Sequence, residues 1–134
     1  MPQLQSIVLK DGAATPVNHT FTPLDIQQGV GAVVESAGVP IGNSKFTVGL
    51  SKTPNGRYRA TLNLSVPVVV NETVNGVTKP TVARTAYANV TFTFEDSSST
   101  QERKDIMAMI SDALVTGTPK ALVYDTVVGL QAVY

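Results

Sequence analysis

The sequence predicts an α+β domain in which an antiparallel sheet of five or six strands precedes two helices. Within residues 45–94, three stretches alternate strictly between apolar and polar side chains, which is typical of strands that bury one face. Beyond residue 98 the apolar residues recur at helical spacing instead. Because every strand precedes both helices, we expect the helices to lie together on one side of the sheet.

An N-terminal hairpin and a third apolar run open the chain. Residues 5–9 predict a short strand, and a turn at Asp11-Gly12 leads through a long loop to a return strand near residues 19–21. Residues 30–35 form the next apolar run, which the glycines and proline of residues 38–42 interrupt.

The three alternating stretches are residues 45–51, 57–66 and 85–94. The first two are joined by Lys-Thr-Pro-Asn-Gly, which is rich in turn-forming residues and predicts a hairpin. Residues 71–80 contain Asn75-Gly76 and Pro80, and we predict an exposed flexible loop there.

Two helices follow the last strand. Ser99 and Glu102 have the spacing of a capping box, in which a hydroxyl and a Glu three residues later satisfy the first backbone amides. Ile106, Ile110 and Leu114 continue at helical spacing, and Gly117-Thr118-Pro119 predicts the end of the helix. A second, shorter helix is expected over residues 122–130.

Composition indicates a folded protein with a single domain over residues 1–134, since 43% of its residues are hydrophobic and 15% charged. The chain has no cysteine, which excludes disulfides and thiolate zinc sites. It shows neither a secretory leader nor an apolar run long enough to cross a bilayer. We therefore expect a protein made in the cytosol, with no membrane partner.

Charge is distributed unevenly although the formal net charge is zero. Residues 36–94 carry six cations against Glu72 alone, a net charge of +5. Residues 1–35 carry a net charge of −2 and residues 95–134 a net charge of −3. The positive charge therefore coincides with the alternating strands, where a polyanion would bind.

The odd-numbered residues of the three alternating strands form a polar, basic face without a carboxylate. A solvated sheet explains its Thr, Ser, Lys and Arg residues equally well. Tyr87 favours nucleic-acid binding, because an aromatic ring on a polar face can stack on an unpaired base. Such stacking contributes about 1–3 kcal/mol to the binding free energy. On the residues alone, nucleic-acid binding and a plain solvated face both stay open.

Catalytic and cofactor sites are not favoured. His19 is the only histidine, which excludes histidine-based triads and multi-histidine metal sites, and its hairpin position predicts a surface residue. Asp105 and Asp112 are two helical turns apart, too far to share a proton. Gly29-Val30-Gly31 lacks the third glycine of a phosphate-binding loop. We expect neither an enzyme nor a bound cofactor.

The chain resembles the coat proteins of the single-stranded RNA bacteriophages, the leviviruses, in order along its whole length. The matching segments are Asn55-Gly56-Arg57-Tyr58-Arg59, the stretch from Pro67 through Thr73-Val74-Asn75-Gly76-Val77 to Pro80, Arg84-Thr85-Ala86-Tyr87, Val90-Thr91-Phe92-Thr93-Phe94, Ser99-Thr100-Gln101-Glu102-Arg103 and Leu130-Gln131-Ala132-Val133-Tyr134.

This resemblance implies an N-terminal β-hairpin, an antiparallel sheet and two C-terminal α-helices. It also implies a homodimer with a continuous sheet and exchanged helices, and an icosahedral shell built from such dimers around single-stranded viral RNA. The inner sheet face would bind an RNA stem-loop, repressing replicase translation and directing packaging. Such a protein belongs in the virion, after assembly in the bacterial cytoplasm. The alternative is a β-sheet RNA-binding regulator that does not assemble.

The resemblance also assigns residues to RNA binding. Tyr87 corresponds to a base-stacking tyrosine, and Asn89 to a polar contact on the same face. The remaining positions fall into an adenine pocket and a set of backbone contacts: Val30, Thr47, Gly49, Thr61 and Asn63 line the pocket, and Lys45, Asn55, Arg57 and Arg59 meet the backbone.

Two positions depart from the family pattern. Gly49 stands where a serine is common, and Asn63 stands where a lysine is common. We therefore expect a preferred hairpin with a different loop sequence, or weaker discrimination. Residues 71–80 match a segment that takes different conformations around the symmetry axes of family shells.

Overall fold

The computed structural model describes residues 2–115 and 122–134, which fall into two compact units. The first unit ends at Thr93 and contains the sheet except for the last two residues of β6, and the second begins at Phe94 and contains the helices. Six strands followed by two helices confirm the predicted fold class.

The six strands follow one another in the sheet in chain order, each hydrogen-bonded to its neighbours. The pairs from β1–β2 to β4–β5 are antiparallel. The strands are β1 (Ile7–Lys10), β2 (Asn18–Gln27), β3 (Val30–Glu35), β4 (Ser44–Lys52), β5 (Arg57–Val74) and β6 (Val77–Glu95). A short 3-10 helix, Pro40–Gly42, separates β3 from β4. Strand β3 has the predicted bounds, β1 begins two residues later than predicted, and β2, β4, β5 and β6 are longer than predicted.

The flexible loop predicted over residues 71–80 is wrong. Strands β5 and β6 continue into this region and leave only Asn75 and Gly76 as the turn, with φ angles of 52° and 79°. Two successive positive φ values are the geometry of a type I′ hairpin turn, which Asn-Gly favours. The hydroxyls of Thr73 and Thr78 lie 2.9 Å apart across the hairpin. The β-branched residues that flank the turn explain why the strands persist.

Helix α1 (Thr100–Ala113) begins at the predicted cap. The Ser99 hydroxyl accepts a hydrogen bond from the backbone N–H of Glu102 at 3.2 Å. The Arg103 guanidinium adds a bond of 2.6 Å to the carbonyl of Ser98. Leu114 caps the other end, and the predicted terminator Gly117-Thr118-Pro119 lies outside the described residues. Helix α2 covers Leu122–Gly129, one residue short of the predicted end.

Few apolar side chains are buried. Within the described residues, the buried apolar residues are Phe21, Ala32, Val33 and Phe92. On the even-numbered face of β4, which the sequence predicted as core, Val48 is 47% exposed and Leu50 62% exposed. Helix α1 likewise exposes Ile106, Met107, Met109 and Ile110. One copy of the chain therefore leaves much of its apolar surface open to solvent.

No helix in the described ranges is both long and apolar enough to span a membrane.

His19 lies on strand β2 between two carboxylates, a link that the sequence did not predict. Its Nδ1 is 2.8 Å from Glu35 Oε2, and its Nε2 is 2.9 Å from Asp11 Oδ2. A carboxylate only accepts hydrogen bonds, so both contacts form together only when both ring nitrogens carry protons. The hydrogen bonds to Asp11 and Glu35 accordingly raise the pKa of His19 above its usual 6.5.

Asp11 is the anchor of this link. Its Oδ1 accepts backbone N–H groups from Val17 at 3.0 Å and Ala13 at 3.1 Å. These bonds, that of Val17 first, together with the His19 ring lower the pKa of Asp11 to about 2. When it is protonated, His19 thus connects the β1–β2 loop to the end of β3.

The His19 link predicts a pH-dependent contribution to stability. Because the folded-state pKa of His19 is raised, the contribution is fully present below about pH 6.5 and is lost as the pH rises through the folded-state pKa. The difference in Tm between the wild type and His19→Gln should therefore be larger at pH 6 than at pH 9. NMR titration of this single histidine checks the cause: Asp11→Asn should lower its pKa, and a wild-type pKa at or below 6.5 would contradict the link.

Candidate nucleic-acid interface

Strands β3, β4 and β5 bring the predicted pocket residues into two adjacent rows. The register pairs Val30 with Gly49 and Gly49 with Thr61. It also pairs Ala32 with Thr47 and Thr47 with Asn63. Directly opposed residues of an antiparallel sheet point to the same face, so these six side-chain positions form one surface, the small-residue patch. Each row spans two strand spacings, about 10 Å.

Basic residues stand at both ends of this patch. Lys45 pairs with Ser65 beyond one row, and Arg59 pairs with Ser51 beyond the other. The two ends lie six positions apart along β4, about 20 Å at the rise of a strand. No charged residue of β4 or β5 lies between them on this face. We call the whole surface, from Lys45 to Arg59 with its register partners, the polar face.

Val30 fills the space above Gly49. A Cβ atom added at Gly49 would lie 2.9 Å from Val30 Cγ2, closer than such atoms approach in real proteins. Val30 is itself 40% exposed, so its side chain forms part of the surface of the patch. A serine at position 49, common in the family that the chain resembles, would therefore require Val30 to move.

The β4–β5 turn presents Asn55 at its exposed tip. The backbone N–H of Thr53 donates to the carbonyl of Arg57 at 2.7 Å, and that of Gly56 donates to the carbonyl of Thr53 at 3.0 Å. Gly56 adopts a φ of 79°, which costs a glycine little. These bonds confirm the predicted hairpin and place Asn55 next to the exposed Arg57.

Tyr87 and Asn89 lie on β6, next to β5 in the sheet. Alternation puts them on one side of the strand and Val90 with the buried Phe92 on the other. Tyr87 is 73% exposed and Asn89 is also exposed. Among the described residues, an aromatic ring this open packs against little and is available for stacking.

Strand β2 adds two residues that the sequence did not place at this surface. The register pairs Asp25 with Ala32 and Gln27 with Val30. Both therefore lie on the polar face beside the small-residue patch, and the face carries one carboxylate once β2 is included. Parity along the chain could not reveal them, because the β2–β3 register shifts by one residue between Pro23 and Asp25.

The interface is suited to binding rather than to catalysis. Its central side chains offer hydroxyl and amide groups, and its ends offer fixed positive charge. In the part of the chain that the structure describes, no group of three or more His, Asp or Glu residues could hold a metal ion. The chemistry available is hydrogen bonding, stacking and charge attraction.

Comparison with known proteins identifies the family. The family model for the levivirus coat protein matches residues 2–134. The capsid protein of Pseudomonas phage PRR1 is 55% identical over 132 residues, which cover 98% of this chain and 99% of that protein. The capsid protein of Qbeta virus, strain MX1, is 30% identical over 123 residues, covering 86% of this chain and 92% of that protein.

A comparison with solved structures supports the same family. The chain of the virus-like particle of bacteriophage NT-214 superposes with a TM-score of 0.85 at 28% identity, covering 99% of this chain and all of that one. These relatives are capsid proteins and not enzymes, which confirms that part of the sequence prediction. The resemblance seen in the sequence is confirmed as well: the chain belongs to the levivirus coat protein family.

Proposed function

We propose that this coat protein assembles from dimers into an icosahedral shell around single-stranded RNA and binds a stem-loop of that RNA on its polar face. The observation that supports RNA binding is the small-residue patch between two basic ends. Such a stem-loop contact would repress replicase translation and direct packaging, as the family resemblance implies. The protein would then be a virion component that assembles in the bacterial cytoplasm.

RNA would be held by two kinds of contact. Lys45, Arg57 and Arg59 supply cations for phosphates, which dominate affinity but carry little sequence information. The small-residue patch leaves room for unpaired bases, whose edges the hydroxyls of Thr47 and Thr61 and the amide of Asn63 can bind. Tyr87 supplies a stacking surface, and Asn89 a polar group two residues further along the same side of β6.

The exposed apolar surface supports a dimer. Leu50 on the sheet and Met109 on α1 are each more than 60% exposed. Exposing large apolar side chains to water costs free energy, which their burial against a partner would recover. Strand β6 also ends the sheet with an edge whose outer backbone groups can pair with another strand. A second copy whose β6 continues the sheet and whose helices cover the even face would satisfy both needs.

The rival function is a sheet-based RNA-binding regulator that does not assemble. Both functions use the same polar face, so RNA binding alone does not separate them. The particle formed by the NT-214 protein, which shares this fold throughout, favours a shell.

Assembly is directly testable. We expect the purified protein to form closed shells in electron micrographs and, after disassembly, to sediment as a dimer. The dimer is expected because a lone chain leaves apolar surface on both the sheet and the helices uncovered. A stable monomer that forms no particles would contradict the proposal and favour the regulator.

Replacing one cation should weaken RNA binding regardless of sequence. Arg59→Gln should lower affinity for hairpins of any loop sequence and reduce the salt slope by about one, because it removes one phosphate contact. The control is Lys104→Gln on α1, an exposed cation outside the polar face, which should leave the slope unchanged. Equal effects of the two substitutions in filter-binding titrations would argue against RNA at the polar face.

Gly49 and Asn63 should set which loop is preferred. We expect the wild type to respond weakly, or differently from the family pattern, when loop adenines are replaced, because the patch lacks a serine hydroxyl and a lysine. Asn63→Lys should raise affinity and add about 0.7–0.9 to the magnitude of the salt slope. Asn71→Lys, an exposed position further along β5, is the matched control. A wild type with an unaltered family preference would contradict this expectation.

A further inference from the structure

A β-bulge in β2 decides which side chains border the polar face. Pro23 pairs with Val33 in one register, and Asp25 pairs with Ala32 in a register shifted by one residue. Without that shift, Leu24 would stand opposite Ala32. The bulge therefore replaces an apolar residue on the polar face with a carboxylate. Bulges commonly re-aim side chains beside functional sites.

The same bulge brings Gln27 to the polar face and turns Ile26 to the opposite side, where it pairs with Gly31. Gln27 Nε2 donates to Asp25 Oδ2 at 2.9 Å, which orients the carboxylate. Both residues are exposed. Asp25 thus stands as a fixed negative charge beside the small-residue patch, separated from Thr47 only by the strand that carries the buried Ala32.

Asp25 is the one carboxylate among the register partners that β2, β3, β4 and β5 place on this face. A phosphate over β2 or β3 would lie about 5 Å from it, well inside the screening length of about 10 Å at 0.1 M salt. A phosphate over β5 would lie about 15 Å away and would be largely screened. Asp25 therefore repels a phosphate over β2 or β3 but has little effect on a phosphate over β5.

We propose that Asp25, oriented by Gln27, is a specificity-determining residue that excludes the RNA backbone from the β2–β3 flank. It thereby confines the RNA backbone to the side of the polar face formed by β4 and β5. This inference rests on the proposed RNA binding and goes beyond it, because it assigns a role to a residue that repels RNA rather than attracting it. An RNA whose backbone would cross β2 is bound more weakly, whatever its bases.

The test compares two isosteric substitutions in the dimeric protein. Asp25→Asn removes the charge and keeps an oxygen that can accept from Gln27. Asp105→Asn is the matched control, because Asp105 is also exposed and also accepts from a glutamine amide, that of Gln101 at 2.8 Å, but lies on α1. Both variants change the net charge by the same amount. The probe is an oligouridylate, whose bases carry no exocyclic amino group and offer a carboxylate only the N3–H as a donor.

Asp25→Asn should bind oligouridylate about threefold more tightly than the wild type at about 0.1 M salt, and the gain should vanish near 1 M salt. Asp105→Asn should bind like the wild type. Equal gains for both variants would show a net-charge effect and overturn the role of Asp25. Weaker binding of oligocytidylate by Asp25→Asn would show that the carboxylate contacts a base, which also overturns exclusion. A wild type that binds no RNA would instead refute the proposed function itself.

Discussion

The small-residue patch depends on the unbroken register from β3 through β4 to β5. Because Val30, Gly49 and Thr61 are successive partners across three strands, their positions relative to one another are set by backbone hydrogen bonds rather than by side-chain contacts. A slip of one residue at either pairing would exchange the polar face for the apolar one. The hydroxyls and amides at the centre of the surface therefore need no support from a buried network beneath them, and small side chains suffice to keep the patch open.

The β2–β3 pairing departs from that regularity. One extra residue in β2 turns Asp25 and Gln27 toward the polar face and Ile26 away from it. Under the proposed RNA binding, Lys45 and Arg59 would attract a polyanion and Asp25 would repel it on the same surface, so the three charges together would restrict where its backbone lies. The neutral net charge of the chain is compatible with this arrangement, because placement of the charges matters more than their sum.

Much of the fold and of the small-residue patch can be predicted from the sequence, and the features that cannot be predicted have physical reasons. Alternation located β4 and the start of β5 because one face of each strand is apolar and the other polar. It could not detect the bulge, which leaves the spacing of residues along β2 unchanged and appears only in the pairing with β3. Asn75-Gly76 alone does not distinguish a flexible loop from a tight hairpin, because turn residues mark both. The flanking Val74 and Val77 favour the hairpin. The His19 link was beyond reach, since it joins residues 16 positions apart.

The sparse core has a consequence for how the protein comes to be stable. A chain that buries so few apolar side chains by itself has little to set against the entropy lost on ordering its backbone. In an obligate dimer, stability cannot be separated from protomer concentration and grows with its logarithm. Early in synthesis, when copies are few, such a chain would spend longer open to proteases; once copies accumulate, the same sequence would persist. The concentration of the protein would then help to determine whether a chain stays folded, besides depending on how well the chain folds.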